Sequence, residues 1–200
     1  MNYIKIFRNK VEEKEGRVNH MYQDTEGNIT VGIGYHITEA SAKTYPFVLL
    51  SDKSKATQDQ ISEDYTSVHS APGKMDAKKY KKYTKLILQE KSIDTIFERL
   101  LRSFISELRR LFKNFDQIPH SARAALLDLI YNMGMTRLNK WDKLKNAIKC
   151  WDFEEAAKES NRAQVNEERN KWVKSLLLEA AKENKRRIKN FTYRAKIQDS

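Results

Sequence analysis

Glu15 is a candidate proton donor because it lies at the end of a predicted helix. The apolar residues Ile4, Phe7 and Val11 have helical spacing and lead to Glu15, and Gly16 directly after it favours the left-handed conformation that ends a helix. Partial burial and the negative end of the helix dipole both disfavour a charged carboxylate at such a position. These effects suit a carboxyl group that donates a proton in general acid catalysis.

Asp24 and Thr30 add an acid and a hydroxyl to this candidate site. Asp24 lies in a turn formed by residues 24–27, where water and backbone amides can reach its carboxylate. Thr30 lies on the following strand, on the same side as Gly32 and Gly34. A proton donor, an ionised carboxylate and a hydroxyl that can hold water, beside a glycine-floored cleft, suit hydrolysis of a glycosidic bond. Taken alone, the two carboxylates could also be a solvated surface pair.

The strand that carries Thr30 is predicted from a change of periodicity. Ile29, Val31 and Ile33 alternate with a threonine and two glycines, which predicts a strand over residues 28–35 with one packed face. The turn before it predicts a β-hairpin whose first strand includes residues 21–23. Two glycines on one face weaken a strand unless something must approach the backbone closely.

The remainder of the chain is predicted to be mostly helical, because apolar residues recur every three or four positions. Ser121 is the predicted N-cap of a central buried helix and Gly134 is its predicted stop. Residues 39–91 show only a weak pattern, which indicates an elaboration of helix and loop inserted between the hairpin and the helical bundle. The predicted helices cover residues 92–112, 121–134, 141–150, 152–160 and 166–181.

Composition excludes several classes of protein. With 200 residues, 40% hydrophobic content and few glycines or prolines, the chain is globular rather than disordered or collagen-like. Its one cysteine, Cys150, excludes an internal disulfide and a cysteine-based zinc site. The four histidines show no metal-ligand spacing, so no metal and no cofactor is expected; they are His20, His36, His69 and His120.

The net charge of +11 favours a polyanionic partner such as nucleic acid, an anionic membrane or a bacterial cell wall. Residues 182–200 form a basic tail, which is interpreted as a solvated helix end because Phe191 and Tyr193 are its only aromatic residues. A second basic run, over residues 78–85, is interleaved with tyrosines. No apolar run is long enough to span a bilayer and no signal peptide is visible, so the chain is expected to be made in the cytoplasm.

The residues from Glu15 to Gly34 closely resemble the catalytic segment of the phage-type, T4-lysozyme-like glycoside hydrolases. The interval from Glu15 to Asp24 and the interval from Asp24 to Thr30 match the catalytic triad of that family residue for residue. The resemblance resumes in five later segments, which are residues 115–119, 125–128, 132–134, 154–160 and 168–170.

The resemblance implies an α+β, mostly α, lysozyme-like fold. In that fold a small lobe of N-terminal helix and β-hairpin lies across the active-site cleft from a C-terminal helical bundle. The implied organisation is a single, monomeric domain over residues 1–200. Its predicted parts are the catalytic helix and hairpin (1–38), the elaboration (39–91), the helical lobe (92–181) and the basic tail (182–200).

The resemblance also implies an activity, which is cleavage of the β-1,4 bond between N-acetylmuramic acid and N-acetylglucosamine in peptidoglycan. Glu15 would protonate the leaving oxygen, while Asp24 and Thr30 would place a water molecule or stabilise the developing oxocarbenium ion. The family is regarded as inverting, which requires room for a water molecule between the two carboxyl groups.

Seven more residues are predicted to bind the glycan: Gly32, Gly34, His36, Tyr131, Asn132, Arg162 and Arg169. Several have a structural alternative. His36 could be an exposed histidine at a strand end, Tyr131 and Asn132 could serve only packing, and the two arginines could form a salt bridge at the start of a helix.

One position departs from the family pattern. A histidine often follows the second strand glycine in the phage-type enzymes and pairs with an acid on the next helix. This chain has Tyr35 there, and Leu100 or its neighbours align with the acid. Both partners are replaced together, so no charge is expected to be buried alone.

The biological setting has two interpretations. Residues 39–91 form a longer segment than in the compact phage enzymes and resemble the corresponding part of lysozyme domains in bacterial antibacterial toxins. The chain is expected to act in the periplasm or cell wall. It would reach this place after holin-type release as a phage endolysin or after contact-dependent delivery. The expected partners are peptidoglycan glycan strands and, for a delivered toxin, a periplasmic immunity protein or secretion machinery. A catalytically weak wall-binding or structural protein is the alternative, although all three triad residues are present, and no nucleic-acid partner is expected because the basic residues are interleaved with acids outside the tail.

Overall fold

Helices make up most of the chain in its computed structural model, which describes residues 2–163 and 165–198, with side chains up to residue 189. Two small antiparallel sheets accompany them, so the predicted α+β, mostly α, lysozyme-like class is confirmed. The helices are α1 (Tyr3–Glu15), α2 (Glu39–Ala42), α3 (Gln58–His69), α4 (Glu90–Leu111), α5 (His120–Asn139), α6 (Asp142–Lys149), α7 (Phe153–Glu159) and α8 (Glu167–Gln198), with 3₁₀ helices at Ala77–Tyr83 and Phe115–Gln117. The strands are β1 (Val18–Gln23), β2 (Ile29–Gly32), β3 (Tyr35–His36), β4 (Val48–Leu49) and β5 (Leu86–Ile87).

The chain forms two compact units, and the boundary between them falls within α1 and within α4. The hairpin unit comprises residues 10–100. The helical unit comprises residues 2–9 and the described residues from 101 onward. Helix α8 continues past residue 182, so the basic tail is helical where it begins, while the last two residues of that tail lie outside the described part of the chain.

The hairpin unit contains the sheet β1-β2-β3, whose strands are all antiparallel. The prediction of one strand over residues 28–35 is wrong after Gly32. Gly32 and Gly34 both have φ of +71°, a left-handed conformation that reverses the chain, so Tyr35 begins a third strand. Thr30 consequently lies between Tyr22 on β1 and His36 on β3.

Gly32 makes the close approach that its place in a strand predicts, but the group that approaches is the ring of Tyr35. A Cβ atom on Gly32 would lie 2.7 Å from Cε2 and 2.8 Å from Cδ2 of that ring. Tyr35 is buried and its ring centroid lies 6.5 Å from that of Phe97 on α4. The ring of Tyr35 therefore packs against an aromatic ring of α4.

Gly32→Ala is expected to destabilise the protein by about 3 kcal/mol, because a left-handed alanine costs roughly 1 kcal/mol and overpacking against a buried ring adds about 1–3 kcal/mol. Gly27→Ala is the matched control. Gly27 also has positive φ, but a Cβ atom there meets nothing within 4 Å. Urea unfolding of the two variants measures the difference, and equal losses would show that the Tyr35 ring moves aside without cost.

The elaboration over residues 39–91 packs on strand β1. The buried amide nitrogen of Gln23 donates to the carbonyls of Val68, His69 and Ala71 at 2.8, 3.0 and 3.0 Å. These carbonyls belong to the C-terminal end of α3 and the residues after it, where helix carbonyls have no partner within the helix. The residue immediately before Asp24 is thereby fixed to the elaboration.

The helical unit is built around α5, whose first half is buried on nearly all sides. Gly134 is predicted to stop the helix, and it does interrupt the helical geometry, with φ of 72°. A short helical segment follows it. The prediction of Ser121 as N-cap is wrong. Pro119 precedes the helix with extended backbone, so the helix begins at His120 and Ser121 is buried within its first turn.

Among the residues described, no helix combines the length and apolarity needed to cross a membrane.

Candidate active site

Glu15 is the last residue of α1, as predicted. The Gly16 amide donates to the Glu12 carbonyl at 3.1 Å, and Gly16 has φ of +71°, which ends the helix. The side chain of Glu15 is half-buried. Its position at the helix end places it at the negative end of the helix dipole.

Arg17 holds the turn after Glu15 against the first turns of α4. Its guanidinium contacts the carboxylates of Glu12 at 3.2 Å, Glu90 at 2.5 Å and Asp94 at 2.9 Å. The same group donates to the backbone carbonyl of Glu90 at 3.2 Å. Because one guanidinium links α1 with α4, the backbone that carries Glu15 has a fixed direction in the hairpin unit.

Asp24 has both carboxylate oxygens held in the hairpin turn. Oδ1 accepts the backbone N–H groups of Glu26 at 2.9 Å and Asn28 at 2.8 Å. Oδ2 accepts Nδ2 of Asn28 at 3.1 Å and lies 3.0 Å from Nε2 of His36. The side chain of Asp24 is 21% exposed, so it keeps access to solvent while its orientation is set by these contacts.

His36 was predicted to bind glycan, and the structure places its ring against Asp24. The side chain is 63% exposed and stands at the strand end, which is also what the structural alternative describes. The turn at Gly32 and Gly34 brings β3 beside β2, and this turn creates the contact. The sequence did not predict this pair, because the alternation of apolar residues indicated a strand that continues through both glycines. Two glycines at alternate positions were the available signal for a reversal.

Thr30 is 1% exposed and lies on β2 between β1 and β3. Its hydroxyl donates to the carbonyl of Asn28 at 3.3 Å. Since a hydroxyl has one proton and two lone pairs, this bond leaves the oxygen able to accept a hydrogen bond from a water molecule.

Tyr22 lies near all three predicted catalytic residues, although the sequence predicted no role for it. It is the cross-strand partner of Thr30. Burial, and then the negative charges of Glu15 and Asp24, raise the pKa of Tyr22 to about 12. Its phenol therefore lies within electrostatic reach of both carboxylates and remains a hydrogen-bond donor at neutral pH.

In the helical unit, the predicted glycan-binding residues Arg162 and Arg169 pair with Asp128. Arg162 Nη1 lies 2.8 Å from Oδ2 of Asp128, and Arg169 Nη2 lies 2.9 Å from Oδ1. Asp128 is completely buried and each arginine is 5% exposed. The structure thus shows the salt bridge that was the alternative for these residues, and neither guanidinium is exposed for a wall carboxylate. Burial lowers the pKa of Arg162, and the charge of Asp128 opposes that effect.

Tyr131 and Asn132 lie on α5 next to this ion pair. The Tyr131 ring packs edge-on against Phe7 at 5.6 Å and Phe104 at 6.3 Å between centroids. The Asn132 side chain donates to the backbone carbonyl of Asp128 at 2.6 Å. Both residues are half-buried, so each has a packing role in addition to its predicted glycan contact.

The described residues contain no group of three or more His, Cys, Asp or Glu side chains that could hold a metal ion. The chemistry that the site offers within the described residues is that of a carboxyl group at a helix end, a fixed carboxylate, a buried hydroxyl and a phenol. Such a set can transfer protons and orient water at an acetal.

Comparison with known proteins finds a match to the family model described as phage lysozyme over residues 12–184. The chain is also similar to a Dictyostelium discoideum protein named "Probable T4-type lysozyme 2", with 25% identity over 154 residues. That alignment covers 77% of this chain and 81% of the relative.

Proposed function

Because this chain belongs to the phage lysozyme family, we propose that it is a muramidase in which Glu15, Asp24 and Thr30 carry the reaction. The family and the relative support a muramidase-like peptidoglycan hydrolase. The proposed bond is the β-1,4 linkage between N-acetylmuramic acid and N-acetylglucosamine. The observation that carries the assignment of residues is the position of Tyr22, which interacts with both carboxylates and faces Thr30 across the hairpin.

In the proposed reaction Glu15 donates its proton to the glycosidic oxygen as the bond from that oxygen to the anomeric carbon breaks. A water molecule held by Asp24 and Thr30 attacks the anomeric carbon from the opposite face and gives one proton to Asp24. The products are two shorter glycans, and the site returns to its first state when the proton leaves Asp24 and Glu15 is reprotonated from solvent. These steps invert the configuration at the anomeric carbon.

Asp24 suits the role of water-orienting group because its carboxylate does not rotate freely. The hairpin turn supplies two backbone donors and the Asn28 amide, and His36 supplies the fourth contact. Groups fixed before the reaction need no reorganisation when charge develops at the anomeric carbon. The elaboration also supports the end of β1, directly before Asp24, through its hydrogen bonds with Gln23.

Digestion of purified peptidoglycan is expected to leave N-acetylmuramic acid at the new reducing ends. We expect mass spectrometry of borohydride-reduced products to show muramitol, and early-time NMR to show the α-anomer first, as inversion of a β-bond requires. Ends on glucosamine would assign a different bond. Binding of peptidoglycan without any hydrolysis would favour the alternative of a catalytically weak wall-binding protein.

His36→Leu is expected to lower kcat by about tenfold with little change in KM, because loss of a hydrogen bond to a charged group is worth roughly 1.5 kcal/mol and its role is to orient Asp24. His36→Gln keeps a side-chain donor and should restore most of kcat. His69→Leu changes an exposed histidine elsewhere in the hairpin unit and is the control. A rise in KM with unchanged kcat would instead support the predicted glycan contact of His36.

We place the proposed activity in bacterial lysis, either as a phage endolysin or as a delivered antibacterial toxin. The two settings differ in their neighbours on the genome. A holin gene beside this one would favour phage lysis, whereas a gene for a small periplasmic protein that inhibits the purified enzyme would favour a toxin with its immunity protein.

A further inference from the structure

The 3₁₀ helix Ala77–Tyr83 presents two rows of lysines to solvent. A 3₁₀ helix has three residues per turn, so residues three apart lie above one another. Ala77, Tyr80 and Tyr83 form the row that faces the protein, with Tyr80 fully buried. The other two rows consist of exposed lysines, which we call the lysine ridge; they are Lys78 with Lys81 and Lys79 with Lys82.

The ridge is fixed to the strand that leads to Asp24. The Tyr80 hydroxyl donates to the Pro72 carbonyl at 3.0 Å, and the Ala77 carbonyl lies 2.9 Å from Nε2 of His20 on β1. Its first turn is capped by Asp76, whose Oδ1 accepts the backbone N–H of Lys78 at 2.9 Å. These contacts give the ridge a defined position in the hairpin unit.

A buried carboxylate holds the chain just after the ridge. Asp64 is 5% exposed and accepts the Thr84 hydroxyl and, at 2.6 Å, the backbone N–H of Lys85. Burial raises the pKa of Asp64, and these hydrogen bonds oppose that effect. A carboxylate engaged in this way belongs to the support of the ridge and does not neutralise its ammonium groups.

The lysines of this region have no ion pair with any residue that the structure describes. Residues 74–85 contain six lysines and one acid, Asp76. The acid is used as the helix cap, and Lys82 lies over the Tyr83 ring at 4.9 Å. Some lysines elsewhere are paired with acids and some are not, so the distinctive feature of the ridge is that its four lysines lie together on one short helix. Uncompensated like charges repel one another, and this repulsion is relieved when a polyanion binds.

We propose that the lysine ridge binds a phosphate-bearing glycopolymer of the bacterial envelope and so holds the hairpin unit on the wall. This inference rests on the proposed function, from which it takes the envelope as the place of action. The region contains lysine and no arginine. An ammonium group binds phosphate as a point charge, which suits a flexible polymer, whereas bidentate recognition of a phosphate or carboxylate in a fixed geometry favours the planar arginine fork.

The tyrosines of the ridge argue against single-stranded nucleic acid as the partner. Binding of single strands depends on exposed aromatic rings on which bases stack. Tyr80 is buried, while Tyr83 is half-buried and has Lys82 over its ring. The ridge therefore offers much charge and little stacking surface.

The test uses the full chain, poly(glycerol phosphate) as the probe, and two variants of equal charge. The ridge variant is Lys78→Gln, Lys79→Gln, Lys81→Gln and Lys82→Gln together. The control variant carries four such changes at exposed lysines elsewhere, namely Lys143→Gln, Lys158→Gln, Lys171→Gln and Lys185→Gln. Calorimetric binding is measured at several salt concentrations, with circular dichroism to confirm that both variants are folded.

The ridge variant is expected to bind the polymer about tenfold more weakly at 0.1 M salt, while the control stays within about twofold of the unmodified protein. The slope of log affinity against log salt should fall by about three for the ridge variant, since each charge neutralised on a single-stranded polyanion contributes about 0.7. Equal losses in the two variants would overturn the proposal, because net charge alone would then explain binding. Tighter, ridge-dependent binding of a single-stranded DNA of equal charge would also overturn it.

Hydrolysis of peptidoglycan stripped of phosphate polymers separates this proposal from the proposed function. The ridge variant should cleave the stripped material at the rate of the unmodified protein. It should be slower than the unmodified protein only on walls that carry the polymer. An inactive unmodified protein that still binds poly(glycerol phosphate) through the ridge would refute the muramidase assignment and support the binding site. An active protein that shows no ridge-dependent binding would refute the binding site alone.

Discussion

Glu15→Gln is expected to abolish hydrolysis while the protein remains folded. The amide has nearly the same shape as the carboxyl group but cannot donate the proton that the leaving oxygen requires. General acid catalysis contributes about 10²–10⁴ in rate, so kcat should fall at least a hundredfold. Reducing-end release from peptidoglycan measures the rate. Stability should be equal or higher, because a neutral amide avoids the desolvation of a half-buried carboxylate.

Glu13→Gln is the matched control, since Glu13 lies on the same helix, 57% exposed and paired with Lys10. It should keep the unmodified rate, because its loss removes only surface ion pairs with Lys10 and Lys14. If Glu15→Gln retained a tenth of the rate with its fold intact, Glu15 would not be the proton donor, and another acid would have to be sought.

The features of the candidate site that sequence predicts well are those determined by neighbouring residues. The end of α1 at Glu15 depends on an apolar stripe and on Gly16, both within one segment of the chain. The turn that holds Asp24 likewise depends on residues 24–28 alone. Local chemistry is sufficient there because no distant residue competes for the same backbone.

The features that sequence missed depend on contacts between distant segments or on a reversal inside a strand. The short ladder between β4 and β5 joins strands of two residues each, too short to give any periodicity. Asp128 pairs with arginines 34 and 41 positions away, and an apolar helix pattern gives no sign of such a partner. The contact between His36 and Asp24 required knowing that Gly32 and Gly34 turn the chain, whereas alternation of apolar residues indicated a continuous strand.

Asp24→Asn is expected to lower kcat at least a hundredfold, because it disturbs the hydrogen bonds of this side chain and removes the group that accepts a proton. The amide oxygen can still accept the two backbone N–H groups that Oδ1 accepts. The amide nitrogen would face Nδ2 of Asn28, so two donors would oppose each other, and the contact with Nε2 of His36 would lose the negative charge. The neutral side chain also cannot take a proton from the attacking water. Stability should fall by only about 1 kcal/mol, because the turn keeps its backbone bonds.

Asp52→Asn is the control, because Asp52 is an exposed turn residue whose Oδ1 accepts the backbone N–H and the hydroxyl of Ser54 at 2.9 and 2.7 Å. Its substitution should leave the rate unchanged. The decisive measurement combines Asp24→Asn with His36→Leu in a double-mutant cycle. If His36 acts only by orienting Asp24, its loss should cost about tenfold in the unmodified protein and nothing further once the carboxylate is gone. Independent, multiplying losses would show that His36 acts on the reaction by a route other than Asp24 and would restore its predicted contact with the glycan.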